Sequence, residues 1–421
     1  MKPSAGEVLR NQRAVVWIRG LIPHRLLNRV YHLPRAVIAN AVYRFPSKRL
    51  TVVGVTGTKG KTTTAHMMYH ILREQKKNVL LISTIGAFFG PTKIDTGLHV
   101  TNPEPFALQK LLRQAVDEGY EYVVLEVTSH GLAQFRNWGI RFALGVFTQV
   151  RADHITYHGG VEEYKKAKSR LVKMSSKVVL NSDDPSLKYL LSVAKQHDVP
   201  AVFYKGSEKR LKSQNEEAAI AAAVELGIRE SESRKALESF PGIPGRMEVM
   251  KKRPFTLVID FAHTPESLEA SLSELRPMVK KDGKLLAVFG CAGDRDPGRR
   301  KMGAVAAKLS DMFIITAEDP RTEGVEKISD EIRRHALSAG AREIPLKKAV
   351  PSNKKNGATF THIPDRQEAI NFAIANANPG DVIGFFGKGH EKSMCFGATE
   401  YTWSEHKAVR KALSLREKGK R

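Results

Sequence analysis

Apolar residues alternate along the chain between short continuous runs and longer amphipathic stretches. Leu50 to Val55 is a β-type run, and the pattern turns helical from Thr62 to Glu74. Asn78–Ser83 reads as a second strand and Pro105–Glu118 as a helix. Tyr120–Glu126 and Phe142–Val150 are unbroken apolar runs, as parallel strands buried on both faces require. Helix Val161–Met174, strand Lys177–Leu180, a helix after Pro185, strand Ala201–Tyr204 and the alanine-rich helix Asn215–Gly227 complete a doubly wound unit. Pro241-Gly242-Ile243-Pro244-Gly245 marks a boundary. Beyond it, strands Thr256–Phe261, Lys284–Gly290, Met312–Thr316 and Val382–Phe386 alternate with helical patterns near 265–279, 300–309, 326–338, 366–377 and 404–417. The fold class expected is therefore α/β: a central domain over 50–241, a second Rossmann-like domain over 242–421, and a basic helical arm over 1–49. Lys347–Gly357 reads as an exposed loop.

The first strand-to-helix junction carries the clearest chemistry. Thr56-Gly57-Thr58-Lys59-Gly60-Lys61-Thr62-Thr63 puts a glycine-rich turn between a strand and a helix N-terminus. There backbone N–H groups and the helix dipole favour an anion, Lys61 reaches outer phosphates, and Thr62 or Thr63 offers a hydroxyl to Mg²⁺. The spacing departs from the strict G-x-x-x-x-G-K-[ST] pattern, because Val55 stands five residues before Gly60.

Strand ends supply further candidates, since ligands of open parallel sheets collect at the carboxyl ends of strands. Glu126, followed by Thr128, Ser129 and His130, suits a Mg²⁺ ligand or a solvated strand end. Asp153 and His154 suit metal binding or capping. Lys168 sits within the apolar stripe of Val161, Tyr164, Leu171 and Val172. Such a lysine either snorkels or is a reactive amine, while Lys165, Lys166, Arg170 and Lys173 read as solvated charge. In the second domain Gly290–Asp296, Glu318–Arg321 and Gly387–Glu391 each follow a strand, which favours a shared site facing the nucleotide-binding domain.

Composition narrows the classes. A net charge of +24 over 421 residues admits anionic partners. No aromatic stacking cluster or recognised motif supports nucleic-acid binding. Cys291 and Cys395 give neither a disulfide framework nor metal-ligand spacing, pointing to a reducing cytoplasm. Residues 1–49 hold ten Lys/Arg and one acid, Glu7. That arm reads either as a basic helix on an anionic bilayer or as a helix packed on the main body, with Pro23 and Pro34 breaking a long helix.

From residue 50 onward the chain resembles the Mur ligase family, of the UDP-N-acetylmuramoyl-tripeptide synthetase type. The matching segments are TGTKGKTT (56–63), TNPEP (101–105), EVTSHGLAQFR (126–136), DHITYHG (153–159) and YKKAK (164–168). They continue with PGRME (244–248), DFAHTP (260–265), GCAGDRD (290–296), EDPR (318–321) and GKGHE (387–391). The resemblance implies an ATP-dependent, Mg²⁺-requiring ligase of peptidoglycan precursor synthesis, cytoplasmic and monomeric. It would add a diamino acid to UDP-MurNAc-L-Ala-D-Glu through an acyl phosphate, the two domains closing to exclude water. It implies that Gly57, Thr58, Lys59, Gly60, Lys61, Thr62 and Thr63 hold phosphates, while Asn215, Arg246, Asp260 and His263 line the adenosine site. Thr62, Glu126, His154 and a carbamylated Lys168 would arrange Mg²⁺. Thr101, Asn102, Thr128, Gln134 and Arg136 would contact the UDP-MurNAc-dipeptide. Arg295, Glu318, Asp319, Pro320, Arg321, Gly387 and Glu391 would bind the amino acid.

Arg321 favours meso-diaminopimelate through its distal carboxylate. The family's DNPR motif is EDPR here, however, and an extra acid would suit L-lysine. Milder departures are Lys59, Thr128, Gln149 and Phe261; larger ones are the short region before residue 50 and the abbreviated stretch between Tyr204 and Asn215. The competing readings are a folylpolyglutamate synthetase, which shares the loop and lysine, and a basic nucleic-acid-binding NTPase.

Overall fold

The computed structural model describes residues 24–94, 96, 101–150, 160–206, 211–346 and 357–418. The chain divides into two compact units, residues 1–240 and 241–421.

The first unit is built on an eight-stranded sheet of order β4-β3-β2-β5-β1-β6-β7-β8. Its strands are β1 Thr51–Thr56, β2 Val79–Ser83, β3 Gly86–Phe89, β4 Thr92–Ile94, β5 Tyr122–Glu126, β6 Phe142–Phe147, β7 Ser175–Asn181 and β8 Ala201–Tyr204. All pair in parallel except the β2-β3-β4 meander. The helices are α1 Leu33–Val42, α2 Lys61–Glu74, α3 Pro105–Asp117, α4 Ser129–Ala133, α5 Val161–Lys173, α6 Leu187–Gln196, α7 Leu211–Glu225 and α8 Glu230–Glu238. One core packs α3, α5 and α6 against one face of the sheet, and another packs α2, α7 and α8 against the other. Continuous apolar strands such as β1, buried over Val52–Thr56, follow from this double covering. Chain order reverses at β1, which lies between β5 and β6, so its carboxyl end opens at a switch point where loops diverge.

The second unit holds a seven-stranded sheet of order β13-β14-β12-β11-β15-β10-β9. Its strands are β9 Glu248–Lys251, β10 Thr256–Asp260, β11 Leu285–Phe289, β12 Met312–Ile315, β13 Arg342–Glu343, β14 Thr359–His362 and β15 Val382–Phe386; a separate hairpin pairs β16 Ser393–Phe396 with β17 Thr399–Thr402. Helices α9 Pro265–Leu275, α10 Met302–Leu309 and α11 Val325–Ser338 cover one face, and α12 Arg366–Ala375 and α13 Glu405–Lys418 the other.

Three sequence expectations need correction. The helical segment of residues 24–42 runs through Pro34: a π-turn over Asn28–His32 leads directly into α1, and Pro34 lies in the first turn of α1. Arg170 is not simply solvated, since its Nη1 donates to Leu132 O at 2.8 Å and its guanidinium lies 4.6 Å from the centre of the Phe135 ring. Strands β3, β4, β9, β13, β14, β16 and β17 were missed, because they are short and lack the long apolar runs of the central strands. The Lys347–Gly357 loop lies outside the described residues except for Gly357.

Candidate active site

The turn after β1 is shaped by close approach. Gly60 caps α2 with φ of +83°, and a Cβ there would meet Asn215 Oδ1 at 2.1 Å, so only glycine fits beside α7. Thr58 N donates to Gln149 O at 2.5 Å, Thr148 Oγ1 donates to Lys59 O at 2.6 Å, and Lys59 bridges to Gln149. The loop is thereby stitched to the end of β6. Lys61 Nζ donates to Gly57 O and Thr58 O, and Thr63 is half-buried on the first helical turn.

Behind the loop lies Lys168, 1% exposed. Its Nζ donates to Gly57 O at 2.5 Å and sits 4.9 Å from the centre of the Tyr164 ring, whose hydroxyl bonds Thr58 Oγ1 at 2.7 Å. The apolar stripe of α5 thus delivers an amine to the phosphate loop. A snorkelling side chain would reach water, and this one does not.

Glu126, at the carboxyl end of β5 and 1% exposed, is the hub of the first unit. Thr62 Oγ1 donates to both its oxygens at 3.0 and 3.1 Å, and Thr84 donates to Oε2 through its N–H and its hydroxyl, both at 2.9 Å. Thr84 Oγ1 also lies 3.0 Å from Thr101 Oγ1. Asn102 Nδ2 donates to Glu126 O, while its Oδ1 accepts from the N–H and hydroxyl of Thr128. Arg136 donates to Asn102 O at 2.7 Å and to Gln134 Oε1 at 2.8 Å, and pairs with Glu104 at 3.1 Å. The five residues expected at the dipeptide acceptor therefore form one network with the phosphate loop. Thr84 was not foreseen; a lone threonine just past a strand carries no sequence signal. His154 lies outside the described residues.

In the second unit, β12, β11, β15 and β10 are neighbours, so their carboxyl-end loops line one sheet edge. Lys388, fully buried, donates to Asp319 Oδ1 at 2.7 Å and pairs with Glu391 Oε2 at 2.6 Å. Asp319 Oδ1 accepts a further bond from Cys395 N at 3.0 Å. Glu318 is 4% exposed, and its Oε2 has no hydrogen-bond partner among the described residues. Burial above all, then the Glu391 and Asp319 charges, push its carboxyl up to about 7 despite Lys388. Gly387, at φ +104°, leaves room for it: a Cβ would stand 2.9 Å from Glu318 Cγ. Asp319 and Arg321 both adopt left-handed backbone, at φ +43° and +55°, on either side of buried Pro320. Such conformations in non-glycine residues cluster at functional sites. Arg321 Nε is buried without a hydrogen-bond partner among the described residues, a donor that a carboxylate would satisfy. Desolvation, then the Arg321 and Arg299 charges, hold Arg295 below the ordinary arginine value, so the three guanidiniums form one positive patch.

At the end of β10, Arg246 stacks 4.4 Å from the Phe261 ring centre, and Phe261 packs against His263 and His390. Burial, then the Arg299 charge, lower the His263 imidazole to about 4, so it is neutral near pH 7. A neutral ring and a stacked guanidinium offer flat surfaces suited to an adenine. Asp260 instead spends its carboxylate internally, accepting from Met247 N, Ala262 N and Ser271 Oγ at 2.9, 3.0 and 2.8 Å. It fixes the Gly245–Met247 turn. Arg366, also unforeseen, pairs with buried Glu405 and donates to Ala317 O and Phe386 O, holding the ends of β12 and β15 together.

Residues 55–249 match the Mur ligase middle domain, and residues 245–389 match the Mur ligase, glutamate ligase domain. A UDP-N-acetylmuramoyl-L-alanyl-D-glutamate--2,6-diaminopimelate ligase of Thermosynechococcus vestitus is 36% identical, with 90% of this chain and 80% of that protein covered. The chain belongs to the Mur ligase family. A solved structure of a UDP-N-acetylmuramoyl-L-alanyl-D-glutamate--2,6-diaminopimelate ligase superposes with TM-score 0.60 at 26% identity, covering 91% of this Mur ligase and 83% of that chain. A Mycobacterium tuberculosis folylpolyglutamate synthase, complexed with ADP and AMPPCP, gives TM-score 0.67 at 16% identity over 84% and 92% of the two chains. At that identity the likeness is one of fold.

Proposed function

We propose that this Mur ligase uses ATP and Mg²⁺ to join a diamino acid, with meso-diaminopimelate favoured, to the terminal carboxyl of UDP-MurNAc-L-Ala-D-Glu. The observation that carries the reading is Glu126, whose carboxylate accepts from Thr62 of the phosphate loop and from Thr84, itself bonded to Thr101. Phosphate cradle and acceptor strip are one hydrogen-bonded array, as phosphorylation of a bound carboxylate demands.

The donor set fits the metal. A buried carboxylate and a helix-terminal hydroxyl are hard oxygen ligands beside an anion-binding turn. Thr62, Glu126, His154 and Lys168 would hold Mg²⁺, which when bound supplies charge neutralisation of the phosphate oxygens. Lys168 would serve as a carbamate: its free amine adds CO₂, one N–C bond forms and one proton leaves, turning a buried cation into an anion. Lys61 exchanges its loop carbonyls for the transferring phosphoryl group and stabilises the charge there. The acceptor carboxylate forms an O–P bond as the bond to ADP breaks. The incoming amine then attacks the acyl carbon, loses a proton and expels phosphate.

The amino-acid preference follows from Lys388. Asp319, which departs from the usual Asn, is engaged by the Lys388 ammonium, which also pairs with Glu391, and by Cys395 N, so its carboxylate is already held within the site rather than open to a lysine side chain. Arg321 remains to pair a distal carboxylate.

The test is phosphate release from ATP with UDP-MurNAc-L-Ala-D-Glu and a panel of amino acids. Release should depend on both substrates, with kcat/KM for meso-diaminopimelate at least about tenfold above L-lysine, a difference worth about 1.4 kcal/mol. Lys61→Ala should be silent, and Lys168→Ala silent until short carboxylates are added. Acceptor-independent release, or glutamate addition to a folate, would overturn the reading; an active Lys168→Ala without additives would remove the carbamate.

A further inference from the structure

The helical segment of residues 24–42 is amphipathic in the reverse sense. Ala36, Ala39 and Asn40 are fully buried, whereas Leu26, Val30, Val37, Ile38 and Val42 are 54, 68, 38, 53 and 60% exposed. A helix on a water-bathed domain normally turns its large apolar residues inward. A contiguous exposed set of them marks an interaction surface. Along the segment itself the charge has one sign. Residues 24–49 contain six Lys/Arg and no Asp or Glu, and Arg29, Arg44, Lys48 and Arg49 are exposed.

We propose that this face docks on an anionic lipid bilayer, the stripe entering the headgroup–acyl boundary and the flanking cations meeting lipid phosphates. Charge selects this occupant. A second copy would set the same basic residues against each other across a two-fold contact, where like charges repel. A net charge of +24 adds long-range attraction to a negative surface. The segment lies on the surface rather than across it, since no described helix is long and apolar enough to span a membrane.

The helix is also wired to the first unit's site. Asn40 Nδ2 donates to Trp138 O at 2.7 Å and Ser47 Oγ to Gly139 O at 3.3 Å, just beyond Arg136. Bilayer contact would therefore position the loop assigned above to the acceptor. That consequence rests on the proposed function; docking itself does not.

Flotation of the full chain with vesicles decides the matter. Phosphatidylcholine vesicles containing phosphatidylglycerol should carry the protein at low salt, and pure phosphatidylcholine should not. The double variant Val37→Asp/Ile38→Asp should bind the mixed vesicles at least about tenfold more weakly, with an unchanged melting temperature and unchanged phosphate release in solution. Absence of flotation, or equal binding by that variant, overturns the proposal. So does a wild-type dimer in sedimentation that the variant dissociates, which would assign the face to a second copy. Failure here would leave the ligase reading intact, because that is measured without lipid.

Discussion

Glu126 and Glu318 are both buried acids just past strand ends, yet their surroundings differ in kind. Glu126 accepts bonds from Thr62 and Thr84 on both oxygens, while Glu318 Oε2 has no partner among the described residues and its carboxyl is pushed up to about 7. The unfolded chain releases that proton near 4.5, so between 4.5 and about 7 it binds fewer protons than the folded form. Stability therefore falls as pH rises through that window. Glu318→Gln should match wild type in unfolding free energy near pH 4.5 and exceed it at pH 8 by about 3 kcal/mol, with a correspondingly higher melting temperature there. A difference that does not change with pH would show that ionisation of Glu318 carries no penalty. The sequence marked both residues by their place at or after the carboxyl end of an apolar strand. Nothing in the order of residues announced that Lys388 would pair with Asp319 and Glu391 and leave Glu318 Oε2 without a hydrogen bond among the described residues.

Among elements, the junction of β1, its turn and α2 was the most legible, because glycine, lysine and threonine spacing there encodes backbone geometry directly. Even so, the reason Gly60 must be glycine lies partly in α7, through Asn215. Gly60→Ala would strain a left-handed residue by about 1 kcal/mol and also push on Asn215. Nucleotide affinity should drop at least about tenfold, measured by titration, while the melting temperature falls by a few degrees. Retained affinity would mean that the loop relaxes freely and that its shape is not what binds phosphate. The central strands of both sheets were readable because burial on both faces requires unbroken apolar runs. Strands β3 and β4 and the β16-β17 hairpin were not, since short edge pairs of mixed polarity, such as exposed β17, follow no such rule.

At the scale of the molecule, each unit owns a complete sheet with cores on both faces. Calorimetry of the full chain should accordingly resolve two transitions; one transition whose calorimetric and van't Hoff enthalpies agree would show that the units melt as one. The sequence by itself determined the two alternating α/β patterns, the phosphate loop and the family, because periodicity and spacing act locally. Only the tertiary structure brought Lys168 under Gly57, joined Thr62, Thr84 and Thr101 through Glu126, gathered three loops of the second unit at neighbouring strand ends, and turned the apolar stripe of α1 outward. Those outcomes depend on which strands become neighbours and which helix face finds a partner, and long-range packing settles both.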